Sequence, residues 1–250
     1  METRHLELKK EFGIDGQGSL DIFNNDSSKA LILICPGGGY HHLSPRESLP
    51  VVNKFLSFGY NCALLKYSVF PYSYPTQLNE INTSIKYLSK IYKNIFLMGF
   101  SAGGHLASLG GTDIYSSSIK GMILCYPVIS LNEYTHLGTQ TNFLGPINTE
   151  ENQKKFSINN RVNKLTPPTF IWCTKTDESV SCQNTLMMVE ALKKNNVYNE
   201  FIIYPKGPHG MALADETATI EGHEDCKDEE VAGWVNNANL FIQKVLKDEK

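Results

Sequence analysis

The 250-residue chain has no apolar run near the roughly 20 residues a transmembrane helix needs. Its opening segment, Met1–Lys10, is charged and carries no apolar stretch of the kind a signal peptide requires. Together these absences lead to the expectation of a cytoplasmic protein with no membrane partner. An excess of positive charge is missing too. There are 23 Lys and Arg against 26 Asp and Glu, a formal net charge of -3, whereas a nucleic-acid binder usually shows a basic patch or stripe. No internal repeat or low-complexity segment occurs. The six cysteines, at 35, 62, 125, 173, 182 and 226, form no CxxC pair and no zinc spacing. Cys35, Cys125 and Cys173 lie inside apolar runs, so they are read as small buried hydrophobes in a reducing compartment rather than a disulfide framework.

Hydrophobic residues make up 41% of the chain and charged residues 20%, so it can bury a core without disulfide or metal staples. Short apolar runs alternate with amphipathic stretches, the pattern of an α/β sheet. Ala30–Cys35, Asn61–Tyr67, Asn94–Phe100, Gly121–Tyr126, Thr169–Cys173 and Glu200–Tyr204 read as buried strands. Leu78, Ile81, Ile85 and Leu88 recur at three- and four-residue steps, one face of a helix. Val180–Lys194 and Glu229–Leu246 also read as helices. His5–Phe12 and Ser19–Phe23 are expected to form an antiparallel edge hairpin around Gly13–Gly18. The stretch 130–168 lacks periodicity and is rich in Asn, Thr and Gly, so it is read as a small irregular cap or substrate-side insertion in a single domain, 1–250. The acidic run Glu221–Glu230 reads as a solvated loop and helix start, with a metal site around His223 as the weaker alternative.

The strongest motif is Gly99-Phe100-Ser101-Ala102-Gly103, followed by Gly104-His105-Leu106-Ala107. It fits G-x-S-x-G, with a buried strand leading in and a small-residue helix leading out. Such a turn exposes the serine hydroxyl above the C-terminal edge of the sheet and sets the Ala102 backbone N–H beside it, as a donor to a developing oxyanion. His105 is tied to the outgoing helix and is expected to pack there rather than act as a base.

Cys35-Pro36-Gly37-Gly38-Gly39-Tyr40 follows the first central strand. A phosphate cradle would continue into a helix with Lys then Ser or Thr, and none follows. The remaining use is an oxyanion loop, with Gly38 or Gly39 as the second donor. Tyr40, His41 and His42 come next. Tyr40 and His41 are candidate substrate contacts, and the histidine pair reads equally as a solvent-facing loop. Ser44-Pro45-Arg46-Glu47 has the form of a capping box, with Ser44 as N-cap and Glu47 three positions on, which gives Glu47 a structural explanation.

A serine hydroxyl is a weak nucleophile and needs a base, which in turn needs an orienting acid. Asp177 sits just past the strand TFIWCTK, with Glu178 as its alternate. His209 sits just past EFIIYP, in a loop held by Gly207 and Pro208. Both belong at the same sheet edge as Ser101, and their chain order, Ser, Asp, His, suits that fold. His5 and His223 lack this placement. His136 lies in the insertion and is a candidate for lining the substrate pocket. The chemistry these residues imply, acyl transfer through an acyl-serine, requires no metal or organic cofactor.

CPGGGY with SPRE, GFSAGGHLA, TKTDESV and PKGPHGMALA occur in that order. On these four motifs the chain resembles the α/β-hydrolase superfamily, in its esterase/lipase branch, and within it small bacterial acetyl-xylan-esterase-like sugar hydrolases. The resemblance runs from about Ala30 to Leu246. It implies an α/β-hydrolase fold: a mostly parallel twisted sheet of about eight strands with helices on both faces. It also implies Ser101, Asp177 and His209 as a triad, an oxyanion hole from Ala102 and the glycine loop, and deacetylation of acetylated sugars or oligosaccharides. Two departures stand out. Pro36 takes the place where many lipase-branch members carry histidine. With only 130–168 available as a cap, an open pocket for a short acyl group is expected rather than a long-acyl tunnel. The expected partner is a small ester, with an acetylated carbohydrate foremost, and exposed edge strands favour a homodimer. A peptidase, arylformamidase or thioesterase of the same fold, and a non-catalytic binding protein, stay open at this point.

Overall fold

A computed structural model describes residues 2–24, 26, 28–219 and 223–247. Eight strands form one sheet: β1 (Glu2–Glu7), β2 (Ser19–Asn24), β3 (Leu31–Cys35), β4 (Asn61–Lys66), β5 (Ile95–Phe100), β6 (Ile119–Cys125), β7 (Thr169–Thr174) and β8 (Asn199–Tyr204). Their spatial order is β1-β2-β4-β3-β5-β6-β7-β8. β1 pairs antiparallel with β2, and β2 with β4, while every other pair is parallel. The helices are α1 (Leu8–Phe12), α2 (Leu49–Ser57), α3 (Thr76–Leu88), α4 (Ala102–Asp113), α5 (Leu137–Leu144), α6 (Glu150–Phe156), α7 (Gln183–Lys194), α8 (Glu229–Ala232) and α9 (Trp234–Lys247).

The continuous apolar strands are explained by burial on both faces. Along β3, Leu31, Leu33 and Cys35 pack into one core with α3, α4 and α7. Ile32 and Ile34 point the other way, into a core completed by α2 and α9. β5 divides likewise, with Ile95 and Leu97 on the first face and Phe96, Met98 and Phe100 on the second. This is the α/β-hydrolase fold, as expected. All six cysteines are free thiols, five of them buried. No helix of the described residues is long and apolar enough to cross a membrane.

Four local readings are corrected. The edge hairpin forms, but its first strand ends at Glu7 and Leu8–Phe12 is a short helix closed by Gly13 in the left-handed region. The Ser44 capping box does not form. Pro45–Glu47 is a single 3₁₀ turn without a side-chain cap, and α2 begins after Ser48 with proline in its first turn. The C-terminal helix is broken at Gly233 into α8 and α9. The stretch 130–168 holds α5, α6 and two 3₁₀ turns rather than irregular chain. These helices span 8 and 7 residues, and Phe143, Leu144 and Phe156 are their only buried large apolar residues. Elements that short cannot display a helical period, so composition alone could not reveal them.

Candidate active site

The C-terminal ends of β3, β5, β6, β7 and β8 converge on one cavity of about 540 Å³. At its floor, Ser101 links β5 to α4 with φ 52°, a strained value for a non-glycine residue. The strain is held from three sides. The Ser101 N–H donates to the Cys125 carbonyl, and the Ser101 carbonyl accepts from Gly104 and Val128. Gly103 lets α4 approach: a Cβ there would stand 2.1 Å from the Cys35 carbonyl oxygen.

Asp177 and His209 end neighbouring strands, and their loops are laced together. Gly207 donates its N–H to Thr176 Oγ1, and its carbonyl accepts from Thr174 Oγ1 and Thr176 Oγ1. His209 Nε2 lies 2.8 Å from Ser101 Oγ, and its Nδ1 lies 2.6 Å from Asp177 Oδ2. The Asp177 side chain is fully buried and that of His209 is 22% exposed. Asp177 Oδ1 accepts from the N–H groups of Ser179 and Val180. The carboxylate is therefore fixed from behind while its other oxygen faces the imidazole. The structure thus brings together Ser101, Asp177 and His209, and Glu178 stays outside this line.

The glycine loop offers N–H groups because each of its carbonyls is occupied elsewhere. Pro36 O accepts from the Tyr67 hydroxyl. Gly37 O accepts from Ser44, and Gly38 O from His41 and His42. Gly39 O accepts from Asn142 Nδ2 on α5. Gly37 N–H donates to Glu47 Oε2, so it is withdrawn from the cavity. Among the described residues no protein acceptor meets the N–H groups of Gly38, Gly39 or Ala102. Gly38 needs to be glycine: its φ is +124°, and a Cβ would stand 2.1 Å from His42 O.

His41, His42, His136 and His223 line the cavity with Arg46, Asn142 and Ser179. His136 caps α5: its Nδ1 accepts from the Thr139 N–H, which places the ring proton on Nε2. Burial, and secondarily electrostatic repulsion between the His136 and His209 rings, hold His136 below the ordinary histidine range. Tyr40, expected beside the substrate, is fully buried instead, and its hydroxyl meets His105 Nδ1. His105 Nε2 donates to the Phe156 carbonyl, and burial pulls His105 down to about 4. It packs, as expected, behind the elbow. The groups that sequence reading missed are Glu47, Tyr126 and Asn142. Glu47 has the spacing of a cap residue. Tyr126 and Asn142 carry no motif, and only the folded chain shows their bonds. His223 joins no group of three potential metal ligands among the described residues, and Glu221 lies outside them.

A serine at a strained strand–helix turn, facing a carboxylate-bound histidine at the carboxyl edge of a mostly parallel sheet, places the chain in the α/β-hydrolase class. Within that class it belongs to the BD-FAE family, whose model matches residues 20–192. Two solved structures are similar across nearly the whole chain. An acetyl ester-xyloside bifunctional hydrolase from Caldicellulosiruptor lactoaceticus is 33% identical, with a TM-score of 0.82 over 92% of this chain and 88% of that one. A sugar hydrolase from Lactococcus lactis is 31% identical, with a TM-score of 0.83 and full coverage of both chains. An acetylxylan esterase from Xylanibacter ruminicola is 29% identical over 84% of this chain and 48% of its own length. The chain spans 34% and 48% of the length of the curated relatives it matches.

Proposed function

We propose that the chain is a serine carboxylesterase that removes short acyl groups, with O-acetyl groups on sugars or xylo-oligosaccharides as its substrate class. The observation that carries this reading is the Ser101–His209–Asp177 line beside unpartnered N–H groups on Ala102, Gly38 and Gly39. Ser101 Oγ attacks the ester carbonyl while His209 Nε2 takes its proton. Asp177 keeps the His209 proton on Nδ1 and stabilises the imidazolium. The Ala102 N–H and a glycine N–H receive the oxyanion, a contribution usually worth a hundred- to a thousand-fold in rate for roughly one donor. His209 then protonates the departing alcohol. Water next attacks the acyl-serine carbonyl while His209 takes its proton, and Ser101 Oγ leaves with that proton as the acid is released.

The names of the relatives include acetyl ester, acetylxylan and xyloside substrates. Chemistry favours the ester. Glycoside hydrolysis generally uses two carboxyl groups flanking the bond, and among the described residues that line the cavity only Glu47 is a carboxylate. Both of its oxygens are already bonded, to Gly37 and Tyr126. The test is hydrolysis of p-nitrophenyl acetate and p-nitrophenyl octanoate, with S101A beside the wild type, followed by acetylated xylo-oligosaccharides. Acetate turnover that disappears in S101A is expected. Equal rates in mutant and wild type would overturn the reading.

A further inference from the structure

Glu47 is buried in the 3₁₀ turn between the glycine loop and α2, with 3% of its surface exposed. Its two oxygens serve opposite sides of the cavity. Oε2 accepts the Gly37 N–H at 2.7 Å, on the glycine loop. Oε1 accepts the Tyr126 hydroxyl at 2.7 Å, just past β6. That hydroxyl accepts the Ala212 N–H at 2.8 Å, three residues beyond His209. The Tyr126 ring also packs edge-on to the His209 imidazole, with centroids 5.1 Å apart. Tyr126 and Ala212 both hold positive φ, 38° and 51°, although neither is glycine. Such backbone persists only where surrounding bonds over-determine it. The neighbouring Arg46 adds a second tie, donating to the carbonyls of Gly210 and Ala218.

We propose that Glu47 is a positioning residue: one buried carboxylate that sets the oxyanion loop and the His209 loop relative to each other. The inference rests on the serine-esterase reading above for its catalytic consequence, but its geometric content is independent of it. By taking the Gly37 N–H, Glu47 fixes the peptide plane whose carbonyl is pinned by Tyr67. The N–H groups of Gly38 and Gly39, two residues that line the cavity, are then the ones left without a protein acceptor among the described residues. By holding Tyr126, it supports the segment that presents His209. Only an acceptor on both oxygens can do this. Glutamine keeps the size but not the chemistry. With its NH₂ toward Gly37 two donors oppose each other, and with its NH₂ toward Tyr126 the tyrosine proton loses its acceptor.

The experiment compares wild type, E47Q, Y126F and the double variant. It measures the rate of Ser101 labelling by a fluorophosphonate, kcat and KM for p-nitrophenyl acetate, and the NMR resonance of the His209 Nδ1–H. Thermal unfolding establishes that each variant is folded, and Y126F keeps the Gly37 bond if E47Q fails to fold. Folded E47Q is expected to label and turn over roughly ten- to a hundred-fold more slowly, with KM within about twofold of wild type. Y126F is expected to shift the His209 resonance, and the double variant to lose less than the product of the two single losses. Folded single variants that match wild type in labelling and resonance would overturn the proposal, as would a double variant that shows the full product. A wild type that fails to label at Ser101 would instead defeat the serine-esterase reading. The His209 resonance alone would then decide the role of Glu47: a shift in Y126F supports it and an unmoved signal overturns it.

Discussion

Asp177 meets His209 with one carboxylate oxygen and two backbone N–H groups with the other. The division of labour leaves no acceptor to spare. In D177N the amide oxygen can face Ser179 and Val180 or it can face His209, not both. Keeping the backbone bonds turns the NH₂ toward Nδ1, which reverses the imidazole tautomer and removes the acceptor Ser101 needs. D177N is therefore expected to fold and to lose roughly ten-thousand-fold in kcat. Steady-state kinetics on p-nitrophenyl acetate checks this, and a loss below tenfold would show that the pair does not set the tautomer.

Asn142 carries a smaller prediction. It ties α5 to the glycine loop through the Gly39 carbonyl. Without that bond the loop keeps its other pins, so N142A should lower kcat by about threefold to tenfold, far less than deletion of an oxyanion donor. An unchanged kcat would mean the remaining bonds suffice.

Gly103 tests packing rather than chemistry. The alanine Cβ would lie 2.1 Å from the Cys35 carbonyl oxygen and 2.3 Å from that of Pro36. Both are backbone atoms at the root of the glycine loop, so relief requires α4 or β3 to move. G103A is expected to lose at least about 2 kcal/mol of stability. Urea denaturation gives the number, and wild-type stability in G103A would show that α4 shifts freely.

His105 predicts a pH dependence of stability. Its folded value is about 4, lowered mainly by burial, against 6.5 for the ordinary side chain. Between these values the unfolded chain binds a proton that the folded chain refuses. The stabilising difference is fully present above about pH 6.5 and is lost as pH falls toward 4, a contribution on the order of 3 kcal/mol. Thermal unfolding should show Tm falling across that window. H105Q removes the titrating group, so its Tm should fall less steeply there, and parallel curves would assign the acid sensitivity to other groups.

The sheet and the convergence of Ser101, Asp177 and His209 were legible because both follow from local pattern. Buried strands announce themselves as apolar runs, and each of the three residues follows one, Ser101 directly and Asp177 and His209 in the loops after Thr174 and Tyr204. The glycine loop was legible as an N–H source, but the choice among its glycines was not. That choice depends on tertiary partners: Glu47 takes the Gly37 N–H, and Tyr67 and Asn142, far along the chain, hold the carbonyls of Pro36 and Gly39. Glu47 shows the same limit in sharper form. Its spacing from Ser44 suits a local cap, yet its partners lie 10 and 79 residues away. A short-range pattern can be satisfied by accident, while a long-range bond leaves no mark on the sequence around it.

The pinned carbonyls of the glycine loop have a consequence for where the work of the proposed reaction would be done. In water, dipoles must turn to meet a new charge, and that reorganisation raises the barrier. Here four successive peptide groups are already turned, by bonds that form when the chain folds. In the proposed reaction the orienting cost would fall on folding, once per molecule, rather than on each turnover.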